Sequence, residues 1–164
     1  MHSLVVGMTE SGKSLLVKRM CKKWSVQKKG ILVLDPLGDD WVCDWQTDDP
    51  DLFNQAVYDS RNCVCICDEC SNYLQNSDRE YHWWGTQSRH KGHDFFFITQ
   101  RANQLAVNVR TQAKRLYMFH SSLKDCETLR NEWNRAELMN GHLLKQFQYY
   151  KVPRFGAIEK RMLF

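Results

Sequence analysis

The sequence predicts an α/β fold, a mostly parallel sheet flanked by helices and held in one domain over residues 1–164. Three observations predict it. Short apolar runs alternate with segments of helical period almost throughout, the pattern of parallel strands joined by crossover helices. The stretch Gly7-Met8-Thr9-Glu10-Ser11-Gly12-Lys13-Ser14 stands directly after Leu4-Val5-Val6 and directly before an amphipathic segment. Finally, 164 residues with no repeat, low-complexity segment or linker fit one core of ordinary size.

Taken in order, the first run is the strand that ends at Gly7. Leu15, Leu16, Val17, Met20, Cys21 and Trp24 then recur on one face of a helix, which Gly30 is expected to stop. Lys18, Arg19, Lys22 and Lys23 lie opposite that stripe and read as its solvated face rather than as a nucleic-acid patch. Ile31 to Leu34 is a short buried strand ending at Asp35-Pro36, and residues 37–49 read as a loop. Residues 51–60 form a helix with Leu52, Phe53, Ala56 and Val57 inward, its acidic start matched to the helix dipole. Cys63-Val64-Cys65-Ile66-Cys67 is a buried strand whose alternate cysteines share one face as small apolar fillers. Trp83 and Trp84 read as core anchors of a helix, with surface stacking or a subunit contact as the alternative. Phe95 to Thr99 and Leu116 to Phe119 are two more buried strands, separated by a short helix and loop over 102–113. Ser122 caps a helix running to about Trp133, with Leu123, Cys126 and Leu129 as its stripe. Residues 147–164 are expected to form a terminal hairpin or edge element.

The glycine-rich stretch is a complete phosphate-binding loop by residue type, a Walker A pattern. Gly7 and Gly12 let the backbone turn tightly and aim successive N–H groups at a β-phosphate. The following helix brings its positive dipole end to the same point. Lys13 is placed for the β- and γ-phosphates and the Ser14 hydroxyl for Mg²⁺, with Thr9, Ser11 and Leu15 completing the nucleotide-lining set. A second piece, of Walker B type, completes the chemistry: the apolar strand 63–67 runs into Asp68-Glu69. Asp68 suits the Mg²⁺ shell, and Glu69 suits polarising the water that attacks a γ-phosphate. Gln100 follows the strand 95–99, where ligands of parallel sheets bind, and is placed to sense that phosphate. ATP and Mg²⁺ are therefore the expected ligands.

Composition narrows the remaining classes. The formal charge of +4 permits a polyanionic partner without demanding one. No apolar run approaches the ~20 residues of a membrane span, and the first residues lack a signal-peptide layout. Cys67-x-x-Cys70 has zinc-like spacing but no second pair at finger spacing, so the odd set of seven cysteines reads as packing. His90 and His93 are separated by Gly92, which is expected to stop a helix and so argues against a metal pair.

Four features together resemble the FtsK–HerA superfamily of P-loop ATPases: the loop from Gly7 to Ser14, Asp35-Pro36, Asp68-Glu69, and Ile98-Thr99-Gln100-Arg101 with Arg89-His90-x-Gly92 upstream. Within it the chain looks most like the genome-packaging ATPases of tailless, membrane-containing icosahedral viruses. The resemblance implies a RecA/ASCE-like sheet and a homo-oligomeric ring, a hexamer in the expectation, with ATP between subunits. It implies a cation supplied in trans, for which Arg89 is the first choice and Arg101 and Arg110 the alternatives. Non-specific double-stranded DNA and a capsid or packaging-vertex protein are the implied partners, in the host cytoplasm or at the virion vertex. The expected function is ATP-driven packaging of a viral genome into a preformed capsid. The alternatives are a virion assembly or secretion ATPase of the filamentous-phage type and, less favoured, a small-molecule kinase.

Overall fold

The computed structural model describes residues 1–77 and 79–164. Its strands are β1 (Ser3–Val6), β2 (Ile31–Leu34), β3 (Trp45–Thr47), β4 (Val64–Cys67), β5 (Asp94–Thr99), β6 (Arg115–Met118), β7 (Gln148–Pro153) and β8 (Glu159–Met162). The helices are α1 (Lys13–Val26), α2 (Pro50–Asp59), α3 (Trp83–Thr86), α4 (Val107–Arg110) and α5 (Leu123–Trp133). All eight strands join one sheet in the order β3-β2-β4-β5-β1-β6-β7-β8. From β3 to β6 every pairing is parallel. β7 then returns antiparallel to β6, and β8 antiparallel to β7.

The strands of the parallel part are buried on both faces, which is why they read as unbroken apolar runs rather than as alternations. On one face Leu16, Val17 and Cys21 of α1 pack with Val5, Val33, Ile66 and Ile98. On the other, Phe53 and Val57 of α2, Trp84 of α3 and Cys126 and Leu129 of α5 cover Leu4, Cys65, Phe95 and Phe97. Trp84 is wholly buried, stacks on Tyr81 at 4.6 Å, and donates its indole N–H to Asn54 Oδ1 at 2.9 Å. The neighbouring Trp83 is half-buried and shares that acceptor at 2.8 Å. Core anchoring is therefore the role of the tryptophan pair. Cys63, Cys65 and Cys67 do face one core together.

Four details differ from the sequence reading. The segment 37–49 holds the edge strand β3, whose three half-exposed residues are too few to show a period. α1 ends at Val26, ahead of Gly30, and Lys28, at φ +55°, takes a left-handed turn between the two. Leu52 and Leu123, each in the first turn of a helix, are exposed rather than inward, and the buried faces of α2 and α5 are carried by Phe53 and Val57 and by Cys126 and Leu129. Lys18 and Arg19 are only partly solvated. Lys18 pairs with Asp39 at 2.8 Å over the Trp41 ring, and the Arg19 guanidinium lies 4.4 Å from the Phe164 ring centre.

The strand order decides where the motifs meet. β4, β5 and β1 are consecutive and parallel, so the segments leaving their C-terminal ends converge on one edge of the sheet.

Candidate active site

That edge brings together the loop after β1, the pair after β4 and the glutamine after β5. The loop needs glycine at both ends. A Cβ on Gly7 would come within 2.6 Å of Phe119 Cβ, and Gly12 sits at φ +110° with Leu163 Cδ1 2.8 Å from where its Cβ would be. The loop is tied down by Met8 N–H donating to His120 O at 2.7 Å and Gly7 N–H to Thr99 O at 3.3 Å. The first helical bond of α1 runs from Leu16 N–H to Gly12 O at 3.0 Å. The N–H groups of Lys13, Ser14 and Leu15 therefore remain as the helix-end donors an anion can use.

Lys13 is buried, and its ammonium donates to Met8 O at 3.0 Å, which holds it over the loop. Burial lowers its pKa, while the carboxylates of Glu69 and Asp68 act the other way. The Ser14 hydroxyl donates to Asp68 Oδ2 at 2.9 Å, and Glu69 N–H donates to Asp68 Oδ1 at the same distance. Burial pushes the Asp68 carboxyl up to about 6, against the two hydrogen bonds that favour its ionised form. The Ser14–Asp68 pair fits Mg²⁺ by donor type, a hydroxyl and a carboxylate oxygen held side by side, the hard oxygen donors that this ion takes.

Glu69 occupies left-handed backbone space, φ +47°, which an L-residue adopts rarely and mostly where surroundings enforce it. The turn lifts its carboxylate off the strand end toward β5, where Gln100 Nε2 donates to Glu69 Oε1 at 3.0 Å. Thr9 Oγ1 in turn donates to Gln100 Oε1 at 3.1 Å. One hydrogen-bonded line thus joins the phosphate loop, the β5 end and the acidic pair. The hydroxyl of Thr9, read from the sequence as a nucleotide-lining residue, is thus directed to Gln100. Ser11 is buried and its hydroxyl has no partner among the described residues. Leu15 is half-buried at the mouth of the cleft described below.

The three arginines separate clearly. Arg110 is buried, donates from Nε to Glu132 at 2.7 and 2.9 Å, and also serves Ala102 O and Leu105 O, so it is a clamp of the fold. Arg101 is exposed but lies 3.2 Å from the buried Asp125 carboxylate. Arg89 is exposed in the turn Ser88–Lys91 that precedes β5, with Gln112 Oε1 at 3.5 Å. It therefore sits at the end of the sheet opposite its own phosphate loop and is not brought to it. Asp35 is buried and accepts from Leu37 N, Asp39 N and Trp41 Nε1 at 2.8–2.9 Å, which makes it the organiser of the loop beyond β2.

Sequence reasoning missed Gln146 and Phe147. They lie against the loop because β7 returns antiparallel beside β6, and no local pattern announces that contact.

Residues 4–130 match the family described as zonular occludens toxin (Zot). No curated protein matches the sequence. Among solved structures, the genome packaging NTPase B204 from Sulfolobus turreted icosahedral virus 2, in complex with AMPPCP, is 18% identical, with 96% of this chain and 95% of that chain covered at a TM-score of 0.80. The DNA-packaging ATPase B204 from Sulfolobus turreted icosahedral virus gives 17%, 97%, 95% and 0.80 in the same order. VirB4 of Thermoanaerobacter pseudethanolicus gives 9%, 98%, 89% and 0.76. Identities this low speak for the fold alone. That fold, with the phosphate loop and acidic pair set at one sheet edge, is that of a P-loop ATPase.

Proposed function

The chain belongs to the zonular occludens toxin (Zot) family, and from the geometry of the site and the likeness in fold to packaging NTPases we propose that it is a ring-forming motor which uses ATP hydrolysis to drive double-stranded DNA into a capsid. The observation that carries the catalytic part is the line Thr9–Gln100–Glu69. It holds the Glu69 carboxylate, which has no ion pair among the described residues, and couples its position to the phosphate loop. In this reading the triphosphate lies along the start of α1, with the γ-phosphate toward β4 and β5. Lys13 and the N–H groups of the loop bind its oxygens. Glu69 takes a proton from a water as that water's oxygen attacks γ-phosphorus and the bond to ADP breaks. Ser14 and Asp68 would hold a Mg²⁺ ion, which would supply positive charge against that of the phosphates. Gln100 touches both Glu69 and Thr9, so a change at the γ-phosphate shifts the loop and the end of β5 together.

DNA is reached through the assembled ring. A charge of +4 gives each subunit few phosphate contacts, and several subunits facing one duplex act together without any new contact. The full-length likeness in fold to the packaging NTPases supports the packaging reading. The family match is also compatible with a second reading, a virion assembly or secretion motor with the same site. Co-sedimentation with capsid shells supports the first, and co-sedimentation with membranes in their absence supports the second.

The ring places a cation across each interface. Arg110 is committed to Glu132 and Arg101 leans on Asp125, which leaves Arg89 as the residue best exposed for a neighbour. Arg89→Ala and Glu69→Gln subunits, each inactive alone, are expected to regain ATPase activity on mixing. In a random equal mixture about a quarter of interfaces join an intact glutamate to an intact arginine. No rescue in mixed rings confirmed by native mass measurement would remove Arg89 from that role.

A further inference from the structure

A cleft of about 400 Å³ opens beside the phosphate loop, lined by Glu10, Lys13, Ser14, Leu15, Gln146 and Phe147. It lies on the side of β1 away from the catalytic pair. Glu69 and Gln100 stand over β4 and β5, whereas Gln146 and Phe147 lead into β7, beyond β6. A nucleoside triphosphate with its γ-phosphate toward Glu69 has its α-phosphate near Leu15 and must send its base the other way, into this cleft.

The corner at Phe147 is built. Its backbone is held at φ +64°, a conformation a bulky residue keeps only when its surroundings enforce it. Phe147 N–H donates to Ser11 O at 3.1 Å, and Leu163 N–H donates to Phe147 O at 3.1 Å. Gln146 Nε2 donates to Glu10 O at 3.2 Å. The half-buried ring meets Phe164 edge-on at 5.1 Å, and Arg19 braces Phe164 from behind through its guanidinium and a hydrogen bond to Leu163 O. An aromatic ring is thus fixed at the edge of a cleft large enough for a purine, and its backbone is bonded to the phosphate loop.

We propose that this cleft receives the nucleobase of the bound nucleotide, with the Phe147 ring as its stacking surface. The inference rests on the ATPase reading above and adds the specificity of that site. Stacking uses the π-face that every base has, and the Gln146 amide is held to the loop by the N–H that it donates to Glu10 O. Recognition is accordingly of a purine ring rather than of one base edge, and adenine and guanine nucleotides are accepted alike.

The test is calorimetric titration of the full chain with the β,γ-methylene analogues of ATP and GTP and with inorganic tripolyphosphate, which has no base. Wild type is expected to bind the two analogues within about threefold of each other and at least tenfold more tightly than tripolyphosphate. Phe147→Leu, which keeps apolar bulk and removes the ring, should weaken both analogues about tenfold and leave tripolyphosphate within twofold. Phe147→Tyr should restore them. Equal loss for tripolyphosphate would assign Phe147 to shaping the loop and overturn the inference, as would an unchanged analogue affinity in Phe147→Leu. Analogues that bind wild type no better than tripolyphosphate overturn it without any variant. If wild type binds none of the three, the ATPase reading falls with it.

Discussion

Lys13→Ala is expected to abolish nucleotide binding and turnover while the chain stays folded. Lys13 is a buried ammonium that donates to a loop carbonyl, and burial already works against its charge. Removing it costs the fold one bond to Met8 O and relieves the desolvation of a cation. Removing it from a bound triphosphate costs charge-assisted hydrogen bonds, about 2–3 kcal/mol for the first alone and hence roughly a hundredfold in affinity. The check pairs thermal melting with nucleotide titration. Unchanged melting with lost binding is the expected result, and full ATPase activity in a folded Lys13→Ala chain would withdraw the site assignment.

Glu69→Gln carries the second large effect, and it separates binding from chemistry. The amide keeps the shape of the carboxylate and its acceptor oxygen for Gln100, now 3.0 Å away, but has no basicity. Nucleotide affinity should stay within a few-fold of wild type while hydrolysis falls by at least about a hundredfold, the contribution of a positioned general base. Single-turnover measurement with bound ATP retained on the protein distinguishes this from failed binding. A wild-type hydrolysis rate in Glu69→Gln would place the base elsewhere.

Much of this site was legible in the chain because its parts are local. Gly7, Gly12, Lys13 and Ser14 form a contiguous pattern, and Asp68 and Gln100 each follow an apolar run that fixes them at a strand end. Parallel pairing of β4, β5 and β1 then did the assembly. What was not legible depends on contacts between distant segments. Thr9 and Gln100 are 91 residues apart and meet only through the strand order. Phe147 reaches the loop because an antiparallel return follows β6, and its positive φ is imposed by partners at Ser11 and Leu163 that no local propensity encodes. The departures in the fold have the same origin. Leu52 and Leu123 suit a helical stripe, yet each lies in a first turn and is exposed, with the core contacts made further along the helix. β3 is visible only through its register beside β2.

The measurement that bears most directly on the account is the steady-state ATPase rate of the assembled protein with and without double-stranded DNA, with the oligomer mass recorded under the same conditions. A motor that moves along any sequence should be stimulated alike by unrelated duplexes, lose that stimulation as salt rises, and show it only when rings are present. Glu69→Gln should show none. A rate indifferent to DNA in confirmed rings, or tight, salt-insensitive and sequence-selective binding by the monomer, would contradict the claim that ATP hydrolysis here drives DNA.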